Sequence, residues 1–145
     1  MSRLGAPAVL AAALTVPWWS TATAHAVTFA QLPPVPVVAS PMCAGTVSAE
    51  AQVSPVQTYD GVRNGVRVAI NYDAGNYDGS CSLTVTAQWT NIDSGASGSG
   101  DITAVSTIDG HYGFIGYAST MFQTGSGTVV VTLDSHPGAQ LRVTA

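Results

Sequence analysis

The segment Cys81–Thr90, CSLTVTAQWT, decides the fold class because apolar and polar residues alternate along its whole length. A period of two is typical of a half-buried β-strand, whereas an amphipathic helix repeats every three to four residues. One face of this strand should therefore be buried and the other hydrated. The face predicted to point inward comprises Cys81, Leu83, Val85, Ala87 and Trp89.

Similar alternation recurs on both sides of this segment, and no window of residues 27–145 has sustained helical spacing. Turn-forming residues such as Asp109-Gly110 and Pro137-Gly138 separate these alternating segments. This layout predicts an all-β fold, an antiparallel β-sandwich of about seven strands, with a small β-barrel as the alternative. The predicted strands lie near residues 47–53, 66–72, 81–90, 102–108, 112–119, 129–133 and 141–143.

The two cysteines of the chain, Cys43 and Cys81, are predicted to form a disulfide. Cys43 has the same parity as Val47 and Cys81 the same parity as Trp89, so both sulfurs should point into the core. In the chain-entropy model, closing a loop of this length stabilises the fold by about 4 kcal/mol.

The layout resembles an immunoglobulin-like domain in its architecture alone. Antibody domains place a tryptophan between their two cysteines, whereas Trp89 follows both cysteines of this chain. Likeness of architecture implies no function, because β-sandwiches carry many unrelated activities.

Residues 1–26 have the layout of a secretory signal peptide: Arg3, an apolar run over Leu4–Val16, and the small-residue triplet Ala24-His25-Ala26. The apolar run is shorter than the roughly 20 residues needed to cross a bilayer. We therefore predict cleavage after Ala26, location outside the cell or in the cell envelope, and no membrane span after cleavage.

Residues 27–42 are predicted to form a Pro-rich N-terminal arm, followed by a single domain over residues 43–145. Proline lacks the N–H that a sheet ladder needs, so QLPPVPVVASP at Gln31–Pro41 favours an extended segment or at best an edge strand. Such a segment could serve as a spacer or as a proline-rich ligand for a partner.

Charge excludes two classes of partner. Once Arg3 is removed, three arginines and no lysine remain against eight acidic residues, which gives a net charge of −5. Nucleic-acid binding needs clustered basic residues to neutralise phosphates, and anionic lipid needs a similar basic patch. We predict neither.

No motif for catalysis, metal binding or a cofactor is present, so no catalytic residue, metal or cofactor is predicted. His136 lies in a Pro-Gly turn and is expected to be a polar surface residue. The alternative function is a small secreted hydrolase or hydrolase inhibitor that uses Asp93, Asp101 or His111, since glycosidases hold two carboxyl groups about 5–10 Å apart.

Residues 71–79 contain Asn-Tyr-Asp twice, and Asp73, Asn76 and Asp78 could offer three oxygen ligands to a hard cation. A hairpin connection rich in turn-forming residues would explain the same sequence. Both interpretations stay open.

Aromatic residues cluster between residues 112 and 122, where a regular strand would be apolar on both faces. Such a strand could be covered on both sides, bulged at its glycines, or exposed on one face for a partner. Our hypothesis is a secreted, non-enzymatic interaction or envelope-associated module with a protein or carbohydrate partner. The candidate binding residues are Tyr112, Phe114, Ile115, Tyr117 and Phe122.

Overall fold

The computed structural model describes residues 27–75, 80–109 and 113–145, and these form two antiparallel sheets packed as a β-sandwich. The first sheet has the order β1-β2-β3-β7, and the second has the order β6-β5-β4-β8-β9. The predicted sandwich is confirmed and the barrel is not formed. The strands are β1 (Phe29–Val38), β2 (Ala44–Thr58), β3 (Gly61–Asp73), β4 (Ser80–Asn91), β5 (Ser97–Asp109), β6 (Gly113–Ile115), β7 (Tyr117–Phe122), β8 (Thr128–Leu133) and β9 (Leu141–Thr144).

The core lies between the inner faces of the two sheets and follows the alternation of the sequence. In β4, Cys81, Val85 and Ala87 are buried, while Leu83 and Trp89 are half-buried and pack against the core. The described residues contain no helix long and apolar enough to cross a bilayer.

The segment predicted as a Pro-rich arm, residues 27–42, contributes a strand to the sheet. β1 pairs antiparallel with β2 and forms an edge of the first sheet, so the sandwich includes residues well before Cys43. Proline is tolerated at this position because one side of an edge strand needs no hydrogen-bond donors.

A β-bulge interrupts β1 at its adjacent prolines. Leu32 pairs with Ala49 and Val35 pairs with Val47, so Pro33 and Pro34 together stand opposite one residue of β2. Two residues against one is the defining feature of a bulge, and it bends the strand away from regular pairing.

The single strand predicted over residues 112–119 is two strands in different sheets. β6 pairs with β5 in the second sheet, and β7 pairs with β3 in the first. Gly116 lies between them, and its carbonyl accepts a hydrogen bond of 2.8 Å from the backbone N–H of Tyr72. A Cβ at Gly116 would lie 1.7 Å from the Tyr72 carbonyl oxygen, so only glycine fits this crossing. The change of sheet removes the need for one strand to be apolar on both faces.

The Cys43–Cys81 disulfide is confirmed, with the two Cα atoms 5.6 Å apart. Cys43 lies just before β2 and Cys81 lies in β4, so the bond joins the two sheets. Beside it, the Tyr72 hydroxyl donates a buried hydrogen bond of 2.8 Å to the Cys43 carbonyl. Burial raises the pKa of Tyr72 and so keeps the phenol neutral as a donor.

Asn91 connects the sheets at the opposite end of β4, where its side chain is 0% exposed. Its Nδ2 donates to the carbonyls of Thr124 and Ser126, both at 2.9 Å, in the loop that crosses from β7 to β8. Its Oδ1 accepts from the backbone N–H groups of Asp93 and Ser94, both at 3.1 Å, in the turn before β5. These five residues are the Asn91 cluster.

Candidate functional site

The aromatic segment divides into exposed, buried and undescribed parts. Tyr117 is 49% exposed on the outer face of the first sheet. Phe122 is 7% exposed and belongs to the core, because it has the opposite parity on β7 and points inward. It is therefore no part of a binding surface. Tyr112 and the side chains of Phe114 and Ile115 lie outside the described part of the structure.

A shallow open groove of about 570 Å³ lies in the outer face of the first sheet beside Tyr117. The strand register brings its polar residues together in two adjacent rows: Gln31, Glu50 and Ala69 are paired across β1, β2 and β3, while Ser48, Asn71 and Tyr117 are paired across β2, β3 and β7. We call this site the Tyr117 groove; the side chains that define it are Gln31, Ser48, Glu50, Ala69, Asn71 and Tyr117.

Tyr117 reaches across β3 to Glu50, the single glutamate of the chain. The phenol hydroxyl donates to Glu50 Oε1 at 3.5 Å, the long limit of a hydrogen bond. Ala69 lies between the two on the outer face of β3 and is 1% exposed. Ala69 therefore lies beneath the contact between Tyr117 and Glu50. Because this phenol–carboxylate hydrogen bond is weak, it is easily exchanged for one with a ligand.

The other polar side chains of the groove are available to a ligand. Among the hydrogen bonds between described residues, none involves the side chain of Gln31, Ser48 or Asn71. Gln31 and Asn71 are exposed, and Ser48 is half-buried. Two amides and a hydroxyl therefore offer both donors and acceptors to an incoming molecule.

Glu50 alone carries a charge among the described residues that line the groove. Of the two rows that adjoin the groove on this face, one contains Arg67, whose Nη2 donates to Gln52 Oε1 at 3.0 Å, and the other contains Asp73, whose Oδ1 accepts from the Gly75 N–H. The groove is therefore neutral apart from one carboxylate.

The Pro33–Pro34 bulge forms one wall of the groove and is anchored from the second sheet. His136 Nε2 lies 2.9 Å from the Pro33 carbonyl oxygen, and its Nδ1 lies 2.9 Å from Ser135 Oγ. A carbonyl only accepts, so Nε2 carries the proton and donates. His136 is 4% exposed, which corrects the expectation of a surface residue: the turn between β8 and β9 folds it under β1.

The carboxyl groups proposed for the alternative hydrolase function are not adjacent. Asp93 Oδ2 accepts from the Thr128 N–H at 2.7 Å, and Asp101 Oδ1 accepts from Thr86 Oγ1 at 2.8 Å. Asp101 pairs with Thr86, about 13 Å of strand rise from the Thr90–Ser97 pair at the end of the ladder, and Asp93 lies beyond that end in the turn before β5. They do not form a pair at glycosidase spacing, and His111 lies outside the described residues.

The possible cation loop is described in part. Asp73 Oδ1 accepts from the Gly75 N–H at 2.8 Å and so stabilises a turn, whereas Asn76 and Asp78 lie outside the described residues. Within residues 27–75, 80–109 and 113–145, no group of three His, Cys, Asp or Glu side chains is placed to hold a metal.

A second depression, of about 310 Å³, lies beside the turn between β8 and β9. Asp134 is its one charged residue among those described, and its Oδ1 accepts from the Thr86 N–H at 3.0 Å. No Tyr, Phe or Trp is among the described residues that line it. Unlike this depression, the Tyr117 groove has an aromatic side chain beside its polar groups.

Comparisons with family models, with curated proteins and with solved structures found no match to this chain. The candidate site therefore rests on its own geometry.

The sequence pointed to Tyr117 and missed the residues around it. Ser48, Glu50 and Asn71 occupy the outward positions of predicted strands, and that parity was the available signal. Gln31 lies in the segment predicted as an arm. Pairing between distant strands gathers these side chains, and no local pattern records such pairing.

Proposed function

We propose that this protein is a secreted, non-enzymatic interaction module that binds an extracellular or envelope partner through the Tyr117 groove. The observation that carries the proposal is the half-exposed Tyr117 beside Gln31, Ser48 and Asn71, whose side chains make no hydrogen bond to another described residue.

The composition of the groove supports recognition of a partner. Aromatic residues are enriched at binding surfaces, and tyrosine combines a large apolar face with a polar tip at little cost in side-chain entropy. A molecule with few charges and a polar groove is suited to a ligand recognised by shape and hydrogen bonding.

Export is part of the proposal and is supported by two observations. The cysteines are joined in a disulfide, which persists mainly in oxidising compartments. The chain also enters the fold directly after the predicted cleavage site, because the Val27 carbonyl accepts from the Thr144 N–H at 2.7 Å. N-terminal sequencing of the exported protein should begin at Val27, and retention of Met1 would overturn this part.

Binding can be measured with a dye attached at one position. The chain contains no lysine, so an amine-reactive dye labels the N-terminus alone. Labelled protein is titrated onto extracellular and envelope material from the native source. We expect saturable binding that Tyr117→Ala weakens about tenfold or more, as expected for an aromatic anchor at the centre of a site.

Tyr59→Ala is the matched control. Tyr59 is fully exposed at the turn between β2 and β3, away from the groove, so its removal should leave binding unchanged. Equal binding by the wild type and Tyr117→Ala, with both shown to be folded by circular dichroism, would overturn the proposal.

A further inference from the structure

We propose that the ligand of the Tyr117 groove is a neutral carbohydrate, a chain of uncharged hexopyranose units. This inference rests on the proposed function and names the class of partner.

The first argument is the mixture of donors and acceptors in the groove. Gln31 and Asn71 bring amide N–H₂ and carbonyl groups, Ser48 brings a hydroxyl, and Glu50 brings a carboxylate that only accepts. A sugar hydroxyl donates and accepts at once, so adjacent hydroxyls on a ring can use both kinds of group.

Charged ligands fit this set less well. An anion would meet the Glu50 carboxylate, and none of the described lining residues offers a cation to offset it. A cation would pair with Glu50 but would leave the amide and hydroxyl donors without acceptors. Neutral polyols can use every group, because each hydroxyl both donates and accepts.

The second argument is the position of Tyr117. Tyr117 is 49% exposed, and its ring can lie against the C–H face of a pyranose, which is apolar while the edge of the sugar ring is polar. The tyrosine side chain likewise has an apolar ring face and a polar hydroxyl at its tip. The phenol hydroxyl lies 3.5 Å from Glu50 Oε1. A sugar ring stacked on Tyr117 would therefore also lie within reach of the carboxylate.

The third argument is the preformed wall. The Pro33–Pro34 bulge has restricted backbone torsions, and His136 fixes the Pro33 carbonyl from below. Little ordering of the wall is needed on binding, which limits the entropic cost. The volume of about 570 Å³ lies within the range of small-molecule sites, roughly 300–1,000 Å³, and an open groove lets a longer chain continue past its ends.

The test uses the full secreted protein and four series of neutral oligosaccharides of four to six units, built from glucose, mannose, galactose or N-acetylglucosamine. Isothermal titration calorimetry and ¹H–¹⁵N chemical shifts should show saturable binding of at least one series, with shifts centred on Asn71 and Tyr117. Tyr117→Ala and Glu50→Gln should each weaken that binding about tenfold or more, an effect typical of central contact residues.

Two matched variants control for residue type. Tyr59→Ala and Asp60→Asn alter the same kinds of side chain at the exposed turn between β2 and β3. Both should bind the oligosaccharide as the wild type does.

Three outcomes would overturn the inference: no binding by any of the four series, preferential binding of a tetralysine peptide or of oligogalacturonate, or equal loss of affinity in the control variants. If Tyr117→Ala still loses binding to extracellular material while no oligosaccharide binds, the carbohydrate inference fails and the proposed function stands. If Tyr117→Ala binds both as the wild type does, both fail.

Discussion

Amide side chains occur in two contrasting polar regions of this sandwich. In the Asn91 cluster, the amide is 0% exposed and makes four hydrogen bonds to backbone groups of two loops. In the Tyr117 groove, Gln31 and Asn71 are exposed, and their side chains make no hydrogen bond to another described residue. The same functional group thus stabilises the fold in one region and is free for a ligand in the other.

The difference follows from where each residue lies on its strand. Asn91 ends β4 beneath the crossing from β7 to β8, where its buried amide reaches backbone groups of the loops on both sides. Asn71 lies on the outer face of β3, a central strand whose backbone is already paired on both sides. The side chain of Asn91 thus pairs backbone groups of two loops, whereas the backbone around Asn71 is paired without a side-chain partner.

The disulfide connects the two sheets covalently. Its removal should lower stability more than the loss of the Asn91, His136 or Tyr117 side chain. Replacing both Cys43 and Cys81 with Ala should lower the free energy of unfolding by about 4 kcal/mol, because the unfolded chain gains the entropy of an open loop. Urea unfolding measures the loss, and affinity at the groove should stay unchanged. A loss under about 1 kcal/mol would show that the bond adds little to the contacts around it.

Asn91→Ala should lower the free energy of unfolding by about 3 kcal/mol, since four hydrogen bonds to backbone groups, one buried and three part-buried, are lost. Asn71→Ala makes the same chemical change in the groove and should change stability by no more than about 0.5 kcal/mol, while it weakens ligand binding. Urea unfolding of both variants, with titration of the ligand, tests the contrast. Equal losses of stability in the two variants would break it.

His136 shares one feature with each region: it is buried, as Asn91 is, and its partner Pro33 lines the groove. His136→Ala therefore tests both stability and binding. Loss of its hydrogen bond to the Pro33 carbonyl should lower the free energy of unfolding by about 1–2 kcal/mol. The bulge would then be free to move, so affinity should fall several-fold. Ser135→Ala, which removes only the bond to Nδ1, is the control. Reduced stability with unchanged affinity would show that the bulge holds its shape unaided.

Tyr117→Ala, like Asn71→Ala, should change stability by no more than about 0.5 kcal/mol, because the side chain is an exposed surface group. Trp89→Ala is the contrast, since Trp89 packs against the core, and its loss should cost about 3 kcal/mol. Thermal unfolding compares the two. If Tyr117→Ala were as destabilising as Trp89→Ala, Tyr117 would be a structural residue and the groove would lose its aromatic anchor.

Local alternation was enough to predict most of the fold. A period of two marked β2, β3, β4, β5, β8 and β9, while the presence of two cysteines predicted the disulfide and parity placed both sulfurs in the core. β1 was predicted only as an edge-strand alternative to an extended arm, because its prolines lack ladder donors, a loss that an edge strand tolerates. The crossing at Gly116 escaped because its cause is the close approach of the Tyr72 backbone, which lies far away in the sequence.

The site was less predictable than the fold. Tyr117 was found from the density of aromatic residues, but the same criterion selected Phe122, which the parity of β7 turns into the core. Glu50 lies 67 residues from Tyr117, and only the register of three strands places them together. A candidate site on a sheet face depends on such pairings, which composition and spacing do not contain.

The disulfide also determines how the molecule would respond to mechanical force. Tension applied through Val27 and Ala145 cannot extend the loop closed by Cys43 and Cys81, whose 38-residue separation withholds roughly 14 nm of contour length. β2 and β3, the central strands of the groove, lie inside that loop, whereas β1 and β7 lie outside it. Pulling would therefore separate β1, which carries Gln31, and β7, which carries Tyr117, from the first sheet. β2 and β3 would stay within the covalent loop. A ligand held in the groove would be released under load well before the chain is fully stretched.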